Sequence, residues 1–311
     1  MKALWHIDDN LSTINTVLEE EEDLKDKVKL KSLYSMISTG TERLVATEGI
    51  DAQFEDKMNV PYQEGTFELP IKYGYSLVVK DPDGRIGHIM HPHQDEVIVN
   101  PKDVFWTDGK VPPKRLTLLS NMETIVNAIW DADIQPGMKI GICGFGNIGS
   151  LLATTLLHHF DIKPLIIEKK INKLFRSEDL GFTFEEFTKF DIIFHTTGTG
   201  NGLNFCFNLL KIEGKVIELS WYGKKKITLS LGSEFHYNRL SLISSQVSLI
   251  PIKKRDEYDY LKRKQLAYEW LKHDAYDNLI EPPIPFKEAP NFFAQLRKNK
   301  QGNGLIYIIK Y

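Results

Sequence analysis

Three glycines, Gly144, Gly146 and Gly149 in ICGFGNIGSLL, follow a short apolar run and open a helical one. This G-x-G-x-x-G spacing suits phosphate binding. Gly144 permits a tight turn, Gly146 lets the backbone approach a diphosphate, and Gly149 lets a helix pack close to a strand. The helix start then offers free N–H groups to an anion. Phe145, Asn147 and Ile148 complete the turn. The next apolar run ends in Glu168, 19 residues after Gly149, where a carboxylate can accept the hydroxyls of an adenosine ribose. An acid there repels a 2′-phosphate and favours NAD. Lys169, Lys170 and Lys173 follow and can reach a phosphate, which keeps NADP open. The competing readings are a glycine turn without a ligand and the nucleotide site of a methyltransferase.

Two further polar stretches carry potential chemistry. ISTGTER, residues 37–43, closes the apolar run LYSMIS with three hydroxyls, an acid and a base. Thr41 and Glu42 can cap a turn, with Arg43 pairing to Glu42, or can bind a ligand or relay a proton. HPHQD sets His91, His93 and Asp95 at alternate positions. On a strand these would share one face and form a metal-ligand set, but Pro92 disturbs a regular strand. His93 by itself is an acid or base near neutral pH, or a structural histidine.

These residues need elements to hold them. Residues 1–120 read as strands: KVKLKSLYSMIS, KYGYSLVVKD, RIGHIM and EVIVNP are short runs broken by Gly, Pro and Asp. From 121 the period changes. NMETIVNAIWDA is helical, KIGICGF is a strand, NIGSLLATTLLHHF a helix, and KPLIIE, DIIFHTTG, KVIELSWYG and LSLISSQVS are buried-strand candidates. Strands alternating with helices predict a parallel doubly wound sheet. The tail gives a helix in YDYLKRKQLAYEWLKHD, a second in KEAPNFFAQLRKNK and a strand in LIYIIKY. The expected architecture is α/β: a dinucleotide-binding domain over 121–255, and a β-rich domain split between 1–120 and 256–311.

Bulk properties narrow the function. Of 311 residues, 42% are hydrophobic and 26% charged, enough apolar content for packed cores. A net charge of −3 argues against a general nucleic-acid binder. Two cysteines cannot make a four-thiolate zinc site and fit a reducing compartment such as the cytoplasm. The start MKALWHIDDN does not read as a signal peptide. No apolar run is long enough to span a membrane. The acidic run EEEED at 19–23 reads as a solvated turn or helix end.

The order of elements resembles the medium-chain dehydrogenase/reductase superfamily along nearly the whole chain. MKAL resembles its opening strand, NAIWDADIQPG with KIGICGFGNIG the entry to its cofactor domain, and NGLIYIIKY its final strand. ISTGTER resembles a stretch of bacteriochlorophyllide dehydrogenases in this superfamily. The resemblance implies a Rossmann domain plus a GroES-like substrate domain, a nicotinamide cofactor, a small-molecule substrate and a homodimer. Zinc-dependent members carry Cys-Gly-Thr/Ser-Asp where this chain has Thr39-Gly40-Thr41-Glu42, and Gly-His-Glu where it has Gly74-Tyr75-Ser76. A third ligand position aligns with Ser120. All three ligand positions thus hold hydroxyls, which are poor zinc ligands, and neither a catalytic nor a structural zinc is expected.

Side chains must then handle the proton that accompanies hydride transfer. Candidates are Tyr75 as phenol donor, Thr41 as relay, His93 as acid or base, and Glu123 as the group that orients one of them. Tyr75 can also be a space-filler, and Glu123 a helix N-terminal contact. The resemblance places Thr124, Thr197 and Ser220 beside the cofactor. The expected reaction is oxidation of a secondary alcohol or reduction of its carbonyl. Reduction of a quinone or enone, and dinucleotide binding without turnover, are the alternatives.

Overall fold

The run KVKLKSLYSMIS forms the strand Val28–Ile37, alternating at its start and fully buried at its end. This change of pattern has a cause. Its first half pairs with Glu96–Val99, and its second half lies between Leu77–Lys80 and Tyr307–Lys310, all antiparallel. In this computed structural model, residues 1–18, 26–48, 50–183 and 188–311 are described; the EEEED run lies outside them. Among the described residues no helix is long and apolar enough to cross a membrane.

The chain divides into two compact units, Met1–Ser120 with Ile280–Tyr311, and Asn121–Leu279. The first holds two sheets. One has the order Ser12–Thr16, Lys2–His6, Ile71–Lys72, Glu64–Gly65. The other runs Ile284–Pro285, Tyr307–Lys310, Val28–Ile37, Leu77–Lys80, Ile86–Ile89, Phe105–Trp106, with Glu96–Val99 paired to Val28–Ile37. Leu30, Leu77, Val79, Ile89, Val97 and Val99 form one core. Leu4, Ile37, Ala46, Phe293, Leu296 and Ile309 form a second, which fastens the C-terminal helix Ala289–Arg297.

The second unit is a parallel sheet in the order Leu165–Ile167, Ile140–Cys143, Phe190–His195, Leu210–Glu218, Ser241–Ser244. A parallel bridge from Thr183 to Leu165 adds the remnant of one more strand at the first edge. Counted in chain order with that bridge, the sheet reads third, second, first, fourth, fifth, sixth. That is the doubly wound order of dinucleotide-binding sheets, whose ligands sit where the order reverses. The reversal falls between Ile140–Cys143 and Phe190–His195.

Two expectations need correction. Residues 256–279 belong to the second unit, not to the β-rich one. The buried Arg263 on the helix Tyr260–Trp270 bonds Glu123 and Asn127 on the helix Leu119–Ala132, and a buried guanidinium goes where its acceptors are. The strand in LSLISSQVS is not buried. Ser241–Ser244 pairs on one side only, and its side chains are exposed or half-exposed.

Candidate active site

The glycine turn joins the strand Ile140–Cys143 to the helix Asn147–Phe160. Gly144 adopts φ +101°, which side chains disfavour. A Cβ on Gly149 would lie 1.9 Å from the Gly144 carbonyl oxygen, so the helix start and turn touch backbone to backbone. A Cβ on Gly146 would meet only the Lys173 ammonium, at 3.5 Å. The Gly146 backbone therefore faces a cation. Burial lowers the Lys173 pKa, and the Glu168 charge opposes that shift. Glu168 holds the turn itself: Oε2 accepts from the Phe145 N–H at 3.0 Å and Oε1 from the Lys170 N–H at 2.9 Å. Phe145 is fully buried, Asn147 and Gly149 are buried within the first helical turn, and Lys169 is exposed. Thr124 is half-buried on the helix Leu119–Ala132.

At the reversal point the strand ends carry a polar network. His195 is level with Cys143 on one side and Glu218 on the other. Its Nδ1 lies 3.0 and 2.8 Å from the two Glu218 oxygens, and its Nε2 lies 2.6 Å from Thr197 Oγ1. Glu218 also accepts from the Ser220 N–H at 2.7 Å and the Tyr222 hydroxyl at 3.0 Å. Ser220 Oγ accepts from the Gly198 N–H at 3.0 Å. Thr197 and Ser220 thus belong to one network tying two strand-end loops together. His195 and Glu218, its centre, were not among the residues picked from the sequence. The available signal was a polar residue ending each apolar run, DIIFH and KVIE.

In the first unit, ISTGTER makes the entry to the helix Thr41–Glu48. Glu42 is fully buried and reaches back, accepting from the Ser38 N–H at 2.7 Å, while its own N–H donates to the Ser38 carbonyl at 2.8 Å. The other carboxylate oxygen lies 2.8 Å from His93 Nε2. His93 Nδ1 lies 2.7 Å from Ser35 Oγ, which is 2.8 Å from the Tyr311 hydroxyl. A carboxylate only accepts, so Nε2 carries a proton; in the neutral ring Nδ1 then accepts from Ser35. The hydroxyl of Tyr75 bonds the side chains of Ser38 and Thr41. Burial pushes its pKa up to about 12, the Glu42 charge adding to this and the two hydrogen bonds opposing it. Ser120 Oγ donates to the Tyr75 carbonyl at 2.8 Å, so two of the positions aligned with zinc ligands touch.

Several candidates part company. Thr41, Tyr75 and His93 gather around Glu42, and Glu123 is held by other partners. Its Oε1 is 3.2 Å from Arg263 and its Oε2 3.6 Å from Lys264, so it is engaged by cations. Arg43 donates to Asn299 Oδ1 at 3.0 Å, not to Glu42. His93 is fully buried with both ring nitrogens engaged, so it acts on its neighbours and not on a substrate directly. HPHQD is not a regular strand, and its three side chains separate. His93 joins Glu42, His91 Nδ1 donates to the Pro92 carbonyl at 2.9 Å, and Asp95 accepts from the Lys2 N–H at 2.6 Å. Among the described residues no group of three or more His, Cys, Asp and Glu is placed to hold a metal.

No known protein-family signature matches the chain, and no curated protein matches it in sequence. Solved structures match in shape. 2R,3R-butanediol dehydrogenase from Bacillus subtilis superposes with a TM-score of 0.75 at 14% identity, covering 100% of this chain and 99% of that one. L-idonate 5-dehydrogenase from Escherichia coli K-12 gives 0.73 at 13%, covering 100% and 98%. TarJ from S. aureus, solved in complex with NADPH, gives 0.72 at 14%, covering 99% and 98%. The chain therefore has the two-domain fold of these dehydrogenases: a Rossmann-type parallel sheet and a separate β-rich domain.

Proposed function

We propose that this chain is a nicotinamide-dependent oxidoreductase of the medium-chain dehydrogenase/reductase type, acting on a secondary alcohol or its carbonyl without zinc. The observation that carries the reading is the glycine turn at the sheet's reversal point. Its packing at Gly149 excludes any side chain, and its open backbone at Gly146 faces the Lys173 ammonium. Such a cradle fits a diphosphate. The turn N–H groups and Lys173 would hold it, and Glu168 would accept from the adenosine ribose. The NADPH bound to TarJ and the nicotinamide cofactors named for other neighbours support the same ligand class. Glu168 favours NAD(H) over NADP(H), against the pull of Lys169, Lys170 and Lys173.

A bound nicotinamide ring supplies the hydride acceptor or donor. The protein's own residues handle the proton. Tyr75 is the half-buried phenol of the Glu42 cluster, and its raised pKa keeps it protonated at neutral pH. A protonated phenol donates, so this reading favours carbonyl reduction, with Tyr75 bonding the substrate oxygen and Thr41 and Ser38 orienting it. The chain Tyr311–Ser35–His93–Glu42 stiffens that cluster. Zinc independence rests on donor chemistry: Thr39, Tyr75 and Ser120 offer hydroxyls where zinc enzymes use thiolate and imidazole. The two buried thiols fit the cytoplasm. The half-paired edge strand Ser241–Ser244 is the surface on which we infer homodimerisation, because an open strand edge seeks a partner; light scattering showing a monomer would refute it.

Titration with NADH and NADPH, read by quenching of tryptophan fluorescence, tests the main reading. Tighter NADH binding supports Glu168 as the discriminating group. Tighter NADPH binding transfers that role to the lysines. Binding of neither would remove the oxidoreductase reading.

A further inference from the structure

We propose that His195 couples proton uptake to dinucleotide binding by setting the direction of the Thr197 hydroxyl. This rests on the dinucleotide reading above and adds a residue to it. His195 ends the strand Phe190–His195 at the reversal point, level with Cys143, the residue just before Gly144. Thr197 is exposed, and its methyl carbon lies 3.1 Å from where a Cβ on Gly144 would be. The residue that carries the hydroxyl in question thus borders the glycine turn.

Donor and acceptor types fix the order of the network. Every contact of the Glu218 carboxylate is with a donor, and a carboxylate only accepts, so His195 Nδ1 carries a proton. In the neutral ring Nε2 is then an acceptor, and Thr197 donates to it at 2.6 Å. Thr199 Oγ1, which accepts from the Gly202 N–H at 3.2 Å, donates in turn to Thr197 at 2.9 Å. All hydrogens point one way, from the start of the helix Gly200–Leu209 towards Glu218. The Thr197 proton faces inward. The site is fitted to this arrangement: a Cβ on Gly202 would come within 2.5 Å of Thr197 Oγ1 and 2.9 Å of His195 Nε2.

A second proton on His195 reverses one link. Nε2–H now donates to Thr197 Oγ1. Either hydroxyl of the Thr197–Thr199 pair can donate to the other, so one of their two protons is left without an acceptor in the network among the described residues and turns outward. The protonated state therefore presents a new hydroxyl donor, backed by an imidazolium charge, to an acceptor group on a dinucleotide. The other titratable groups around His195 are Tyr222 on the loop after Glu218, Cys143 on the neighbouring strand and Cys206 on the overlying helix. Burial and the Glu218 charge hold the Tyr222 phenol up. A hydrogen bond with Cys143, together with burial, holds the Cys206 thiol well above its ordinary value. Both remain neutral across the range in which an imidazole titrates, roughly pH 5 to 8.

Calorimetric titration of the full chain with NADH, in buffers of different ionisation enthalpy, counts the protons taken up. The wild-type protein is expected to take up a proton on binding, and its affinity to rise as pH falls, by up to about ten-fold per pH unit. His195→Gln abolishes both effects. Thr197→Val keeps the imidazole and loses the low-pH gain, and Thr197→Ser restores it. A residue that served only to hold the loops would shift affinity equally at all pH values. NADH binding without proton uptake, or a pH slope that survives Thr197→Val, overturns the coupling and leaves the dinucleotide reading intact. No binding of NADH or NADPH at any pH overturns both.

Discussion

Replacement of Tyr75 by Phe separates a catalytic phenol from a space-filler. The substitution removes one oxygen and keeps the ring. The lost contacts are neutral hydrogen bonds to Ser38 and Thr41, whose hydroxyls can turn to other partners. Net neutral hydrogen bonds contribute about 0.5–1.5 kcal/mol each, so the fold should lose at most about 3 kcal/mol. Loss of a positioned acid lowers a rate by about 10²- to 10⁴-fold, equivalent to about 3–5.5 kcal/mol on the barrier. The assay follows NADH consumption with a panel of ketones, diketones and keto sugars, together with urea denaturation of both proteins. NADH affinity should not change, because the substitution leaves the glycine turn and the Glu168 contacts that hold it untouched. With the phenol pushed up to about 12, wild-type reduction should show no phenol-dependent fall from neutral pH to roughly pH 10. A Tyr75→Phe enzyme that reduces the same carbonyls within about three-fold of wild type would refute the assignment of Tyr75 as the acid.

The other predictions address the glycine cradle, the Glu42 cluster and acid stability. Gly149→Ala places a methyl 1.9 Å from the Gly144 oxygen, so the turn must open; overpacking of this kind costs about 1–3 kcal/mol, and unchanged NADH affinity in fluorescence titration would contradict the cradle. Glu42→Ala strips the acceptor from the Ser38 N–H and from His93 Nε2. Two buried donors left unpaired cost about 1–3 kcal/mol each, and chemical denaturation should show a loss of about 2–6 kcal/mol. His6 and His91 are both buried, and burial lowers each from 6.5 to about 3. The unfolded chain then binds more protons between those values, so stability rises with pH in that window and falls on acidification. At pH 5 each histidine should cost about 2 kcal/mol. Denaturation of a His6→Gln, His91→Gln double variant should lose less stability than wild type between pH 7 and pH 5, and equal losses would exclude these two histidines as the cause.

Much of the frame was legible along the chain because it is local. The G-x-G-x-x-G turn between an apolar strand and a helix depends on neighbours in sequence, and the strand Ile140–Cys143 and helix Asn147–Phe160 flank it as the pattern requires. The alternation of strands and helices after residue 121 likewise encodes the parallel sheet. The resemblance to zinc-dependent dehydrogenases set Thr39, Tyr75 and Ser120 at ligand positions, and their hydroxyls are what suggest the zinc independence we propose. Other features depended on partners far away in sequence. Glu42 meets His93 across 51 positions, and Ser35 meets Tyr311 across 276, so no window could reveal that ISTGTER both opens a helix and anchors a buried chain of hydrogen bonds. Glu123 was a candidate for orienting one of the catalytic groups or for a helix N-terminal contact. Arg263, 140 residues on, is what takes its carboxylate and carries residues 256–279 into the second unit. His195 and Glu218 looked like ordinary strand ends until the parallel register set them side by side. Local hydrogen bonding and periodicity are written in sequence order, whereas the pairing of buried polar groups is settled only when tertiary packing decides which donor meets which acceptor.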